Sequence, residues 1–157
     1  MQGNPIFMEQ AITLAIENVT SGRGGPFAAV IVRDGSVVAT GTNLVTATND
    51  PTAHGEIVAI RNACVALGSF QLNDCHIYTS CEPCPMCLAA IYWARCDAIF
   101  YGSSAADAAS AGFDDAFLYE EMKLSISERK ILTVNLLPEK AISSFDTWRA
   151  QAGRIDY

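Results

Sequence analysis

The sequence predicts an α/β protein: one mixed sheet with helices on both faces, a three-layer α/β/α arrangement. Three observations predict it. The chain opens with an amphipathic helix, follows it with a β-hairpin, and then alternates helical and strand-like segments. No repeat, linker or low-complexity tract interrupts the 157 residues. That length predicts a single domain over residues 1–157, long enough to bury a full core.

Each element has its own signal. Phe7, Met8, Ala11, Ile12, Ala15, Ile16 and Val19 recur at helical spacing and predict a helix over 6–19. The run "SGRGGP" at 21–26 ends it. "FAAVIVRDGSVVATGT" then reads as a hairpin turning at Asp34-Gly35. The glycines at 22, 24 and 25 have the composition of a phosphate-binding loop, but such a loop follows a strand and opens a helix. Here the order is reversed, so the segment reads as a flexible connector. Residues 49–52 are a turn and 53–67 a helix carrying Ile57, Val58, Ile60 and Val65. A strand follows at 75–80, then a helix at 85–94 with Pro85 well placed in its first turn. Strands at 97–101 and 131–136 and helices at 114–123 and 138–151 complete the pattern.

Charge narrows the partners. The net charge is −7, and the 10 bases are scattered apart from the Arg129–Lys130 pair. A nucleic-acid binder carries a basic stripe that displaces counterions from phosphates, and none is visible. A small or neutral partner is expected. No charged start followed by an apolar run marks a signal peptide, and no apolar stretch approaches the roughly 20 residues that span a bilayer. The expected location is the cytoplasm, where six cysteines point to metal or catalysis more than to disulfides. Cys64, Cys75 and Cys96 lie in apolar surroundings and read as buried small hydrophobes. His76 is not spaced with the cysteines and reads as an ordinary, partly exposed histidine.

Chemistry concentrates in His54, Glu56, Cys84 and Cys87. Cys84 and Cys87 stand at a predicted helix start, with both sulfurs on one side of the first turn. Free N–H groups and a partial positive charge there favour thiolate over thiol. His54 also opens a predicted helix, so two N-termini can converge on one ion. Thiolates with imidazole suit tetrahedral Zn²⁺. Cys81 is a possible third sulfur, which would close the sphere as a structural staple. Against that, Pro83 separates Cys81 from the helix, and a staple has no use for the carboxylate of Glu56 beside His54. Three protein ligands, a water and an adjacent acid–base group are what hydrolytic zinc chemistry requires.

"HGE" at 54–56 and "PCPMC" at 83–87 resemble the H-x-E … P-C-x-x-C signature of zinc-dependent nucleobase deaminases. The resemblance implies a cytidine-deaminase-like fold with His54, Cys84 and Cys87 on one Zn²⁺, Cys81 a bystander, and Glu56 carrying protons. Gly55 departs from the alanine many relatives have there. The signature does not select the amine. "GGPFAAVIV" (24–32), "NDPTAHGE" (49–56), "SCEPCPMCLAAIYWAR" (80–95), "AGFDDAFLYEE" (111–121) and the terminal "GRIDY" most resemble guanine deaminases of the compact cytidine-deaminase fold. A purine substrate follows from that resemblance, with Phe27 and Trp93 around the base, Asn43 on its edge, Asp115 accepting from its N–H groups, and Tyr157 closing the pocket. It also implies a homodimer, with terminal segments able to exchange between partners. Guanosine, cytosine-type pyrimidines and tRNA adenosine remain alternative substrates; a zinc-stabilised scaffold without activity is the alternative from another class.

Overall fold

A computed structural model describes residues 2–157. The chain forms two compact units, one up to Tyr119 and one over Glu120–Tyr157.

The first unit is built on a four-stranded sheet of order β2-β1-β3-β4. Helix α1 (Pro5–Thr20) starts on the Asn4 side chain, which accepts from Ile6 N–H, with Pro5 in the first turn. Strands β1 (Ala28–Arg33) and β2 (Ser36–Thr42) make the hairpin. Its two-residue turn holds Asp34 and Gly35 at φ 50° and 71°, the left-handed pair that a tight hairpin demands. A short helix α2 (Val45–Thr48) precedes α3 (Gly55–Leu67). Strand β3 (Cys75–Cys81) pairs antiparallel with β1 and parallel with β4 (Ala98–Ser103), with α4 (Pro85–Ala94) as the crossover. Helices α5 (Ala105–Ser110) and α6 (Ala116–Lys123) follow, the second running into the next unit.

Alternation along the strands sorts the core into two layers. Ala29 and Ile31 of β1 and Ile77 of β3 face Ala59 and Ala63 of α3 and Ile91 and Ala94 of α4. Val30, Val32 and Tyr78 face the other way, against Ala11 of α1. The expected mixed sheet with helices on both faces is what the chain forms. Cys75 is buried in the first layer, while Cys64 and Cys96 pack against it half-buried.

In the second unit a capping box between Ser125 and Glu128 opens a 3₁₀ turn (Ile126–Glu128), and α7 (Pro138–Ala150) follows. The strand expected at 131–136 is absent. Its β-branched, apolar residues carry strand propensity, but a strand needs a neighbour, and this unit contains no other among the described residues. Ile131, Leu132, Val134 and Leu136 are exposed.

Candidate active site

Two helix starts meet at the end of the sheet. His54 and Cys84 are the N-cap residues of α3 and α4, both with extended backbone, and neither spends its side chain on the cap bond. Their ring and sulfur point at each other instead. His54 Nδ1 lies 3.6 Å from Cys84 Sγ and 3.5 Å from Cys87 Sγ. The three donor atoms lie within 4.8 Å of one another. A tetrahedral Zn²⁺ with bonds of about 2.0 Å to nitrogen and 2.3 Å to sulfur separates such ligands by about 3.6 Å, so the donor set fits the ion.

Cys81 is not one of the group. Its Sγ lies 3.6 Å from the Ser104 carbonyl, and burial pushes its thiol pKa up. A hydrogen bond from Cys87 holds the Cys84 thiol down at about 4 and pushes Cys87 up. The bond to Cys84 also raises His54.

Glu56 sits in the first turn of α3 and is only 7 % exposed. Burial raises its carboxyl above the usual range, with the Cys84 thiolate adding to the shift. Gly55, between the histidine and the glutamate, marks a close approach. A Cβ there would stand 2.9 Å from Ala28 Cα and 3.1 Å from Phe27 O, so glycine lets α3 begin directly against β1.

These groups open into a cavity of about 310 Å³, lined among others by Phe27, Asn43, His54, Glu56, Cys84 and Asp115. That volume suits a small planar ligand. Phe27 meets Phe113 edge-on, with centroids 4.9 Å apart, forming an apolar wall. Asn43 accepts from the backbone through its oxygen. Its Oδ1 accepts from Gly25 N–H at 3.4 Å and Val45 N–H at 3.3 Å, leaving the Nδ2 donor to the cavity it lines. Asp114 Oδ1 accepts from Ala116 N–H at 2.9 Å and starts α6, which leaves Asp115 to the cavity. Burial is the main cause that raises the Asp115 carboxyl, followed by the Cys84 charge. Glu82 and Asp114 also line the space, while no lysine or arginine does among the described residues.

Of the predicted site residues, the structure brings His54, Glu56, Cys84, Cys87, Phe27, Asn43 and Asp115 together. It does not bring Trp93. Cys87, Ile91 and Ala94 share the buried stripe of α4; Trp93 falls outside it, is 62 % exposed and carries Arg95 5.7 Å from its ring centroid. Tyr157 belongs to the second unit, where its ring meets Trp148 at 6.4 Å. Among the lining residues that the sequence does not single out are Phe113 and Glu82. An aromatic in "AGFDDAFLYEE" and a carboxylate in "SCEPCPMCLAAIYWAR" carry no spacing signal that marks them for the cavity. Glu82 accepts from Ala105 N–H at 3.0 Å and so ties the start of α5 to the metal-binding turn.

A buried carboxylate beside a three-donor metal group, both facing one small cavity, defines the class of metal-dependent hydrolytic enzymes. Residues 1–103 match the cytidine and deoxycytidylate deaminase zinc-binding region, and the chain belongs to that family. It is 54 % identical to guanine deaminase of Bacillus subtilis (strain 168) over 151 residues, 96 % of this chain and 97 % of that one. The X-ray structure of guanine deaminase from Bacillus subtilis superposes with a TM-score of 0.96 at 52 % identity, covering 99 % of each chain. A tRNA-specific adenosine deaminase of Agrobacterium fabrum is 47 % identical over 78 residues, 50 % of this chain and 51 % of that one.

Proposed function

We propose that this chain is a zinc-dependent guanine deaminase, which converts guanine and water to xanthine and ammonia. The observation that carries the reading is the meeting of a His54–Cys84–Cys87 group, a buried Glu56, an Asn43 donor and an Asp115 acceptor in one cavity of about 310 Å³. Near-full-length similarity to a guanine deaminase supports the choice of base.

His54, Cys84 and Cys87 hold the Zn²⁺. When bound, the ion supplies Lewis acidity and lowers the pKa of water so that hydroxide is available near neutral pH. Glu56 takes the proton of the attacking water. The water oxygen bonds to C2 of the ring as Glu56 passes that first proton to a ring nitrogen beside C2. Glu56 then takes the second proton from the new C2 hydroxyl and passes it to the exocyclic amino group as C2=O forms. The C2–N bond breaks and ammonia leaves. A carboxylate that both takes and gives protons works best with a pKa lifted toward neutrality, the direction in which burial moves Glu56.

The remaining lining residues read the base. Phe27 and Phe113 offer an apolar wall to the ring. Asn43 Nδ2 donates to an acceptor on its edge, and Asp115 accepts from the N1–H and amino donors. A cavity with four carboxylates (Glu56, Glu82, Asp114, Asp115) and no lysine or arginine among its described lining disfavours a phosphate. That supports a free base over a nucleotide or an RNA.

The same reading takes residues 1–157 as one deaminase domain, acting in the cytoplasm without a nucleic-acid or membrane partner. No helix among the described residues is long and apolar enough to cross a membrane. It further takes the chain as a homodimer whose C-terminal segments exchange, with Tyr157 completing a pocket. The exposed apolar run at 131–136 supports burial against another surface.

Ammonia release from guanine, guanosine, adenine, cytosine and cytidine tests the assignment. Release from guanine alone is expected. Release only from a pyrimidine, or from none of the panel by zinc-loaded protein, would overturn the choice of substrate.

A further inference from the structure

We propose that Asn18, which does not line the cavity, is a positioning residue that sets the orientation of Asn43 and so the donor offered to the base. The proposal rests on reading the cavity as a base pocket.

Asn18 lies near the end of α1 and is fully buried, on a helix whose other buried residues are Ala11 and Ala15. Burying a carboxamide is unfavourable unless it makes its bonds. Asn18 makes all of its side-chain bonds through nitrogen, its buried Oδ1 having no partner within the protein among the described residues. Both N–H groups of its Nδ2 are used. One donates to Gly25 O at 2.9 Å and the other to Asn43 O at 2.8 Å, 25 residues away. Gly25 N–H donates in turn to Asn43 Oδ1. Three residues from separate parts of the chain thus close a ring of hydrogen bonds, two members of which line the cavity. The main-chain carbonyl of Asn18 gathers the same loop, accepting from Arg23 N–H at 3.1 Å and Ser21 Oγ at 3.1 Å.

The glycine-rich run "SGRGGP" therefore is not the flexible connector its composition suggests. A Cβ on Gly24 would stand 2.1 Å from Asn43 O and 3.0 Å from Asn18 Nδ2, so glycine is what lets the loop enter the bracket. Nor is it a phosphate loop: Gly25 N–H is committed to Asn43.

The consequence falls on the Asn43 amide. Its oxygen is held by two backbone N–H groups, one of them from Gly25, whose carbonyl is in turn fixed by Asn18 Nδ2 together with Phe27 N–H. Loss of the Asn18 bonds to Gly25 O and Asn43 O loosens both residues and lets the Asn43 amide turn and present oxygen instead of nitrogen. A base acceptor in the pocket then faces an acceptor and loses its bond.

The test uses the zinc-loaded, full-length protein. Asn18→Asp keeps the shape but removes the donor. It is expected to retain zinc and a kcat within about threefold, while KM for guanine rises about tenfold, the effect of one lost hydrogen bond. In an Asn43→Ala background the same substitution is expected to raise KM no further. An unchanged KM, or effects that simply add, would overturn the proposal. Should Asn18→Asp fail to fold, Gly24→Ala strains the same bracket, and an unchanged KM there would overturn it equally. Proton exchange of the Asn18 side chain in the wild type provides a readout without any variant. Slow exchange of both Nδ2 protons is expected, and fast exchange would contradict the bracket. Wild-type protein that binds zinc but does not deaminate guanine would instead sink the functional reading and leave the exchange result to stand alone.

Discussion

His54 Nδ1 and Cys84 Sγ, 30 residues apart in the chain, lie 3.6 Å from one another because each caps a helix with its backbone and leaves its side chain unspent. Cys87 joins them one turn into α4, and Cys81 turns away toward the Ser104 carbonyl. Zinc stoichiometry separates these roles. His54→Ala and Cys84→Ser are expected to lose the ion, whereas Cys81→Ser keeps one per chain and most of the activity. Metal loss in Cys81→Ser would mean a closed, structural sphere.

Gly55 links the fold to the site. An alanine there must push α3 off Ala28, since its Cβ would meet Ala28 Cα at 2.9 Å. Overpacking of this kind costs about 1–3 kcal/mol. Gly55→Ala should lower the melting temperature, and because His54 and Glu56 flank the position, kcat should fall with it. An unaltered melting temperature and kcat would show that the helix start can shift without consequence.

Asp115 is expected to act in recognition. Asp115→Asn replaces a charged acceptor by a group that is half donor. The loss of a hydrogen bond to a charged group predicts a fall of about 10- to 100-fold in kcat/KM for guanine. Zinc content should not change. A variant with wild-type kcat/KM would remove Asp115 from the pocket's function.

Asp50 governs the turn that delivers His54. Its Oδ1 accepts from Thr52 Oγ1 at 2.6 Å and Thr52 N–H at 2.8 Å, with Arg61 3.6 Å from Oδ2. The Thr52 hydroxyl is the leading cause that holds its carboxyl below 3.8. A depressed carboxylate contributes stability that is present above the unfolded value and lost as pH falls through the folded one. The melting-temperature gap between wild type and Asp50→Ala should therefore be open at neutral pH and close as pH drops below 3.8. A gap that persists in strong acid would assign the turn to packing instead.

Much of this was legible in the sequence because it depends on local spacing. Cys84 and Cys87 share a helix turn wherever that helix packs, and Asp34-Gly35 is a hairpin turn by its own backbone preference. Asp114 reads as a cap from its place before α6. What sequence spacing does not carry is which distant groups meet. Asn18 touches Gly25 and Asn43 only because α1 packs across β1 and β3, and Phe113 reaches Phe27 from 86 residues further along the chain. Trp93 shows the converse: family likeness brought it to the base, whereas helical phase puts it on the outer face of α4. The run at 131–136 has strand composition without a strand to pair with in its own unit.

Glu56 bears the central claim, that one buried carboxylate moves protons beside an open zinc site. Glu56→Gln keeps its size and its place in α3 but cannot carry a proton. The measurement is ammonia release from guanine by wild type and Glu56→Gln, each assayed for zinc. The account predicts one zinc per chain in both and a rate lower by a factor of about 10²–10⁴ in the variant. Turnover at the wild-type rate by zinc-loaded Glu56→Gln would contradict it.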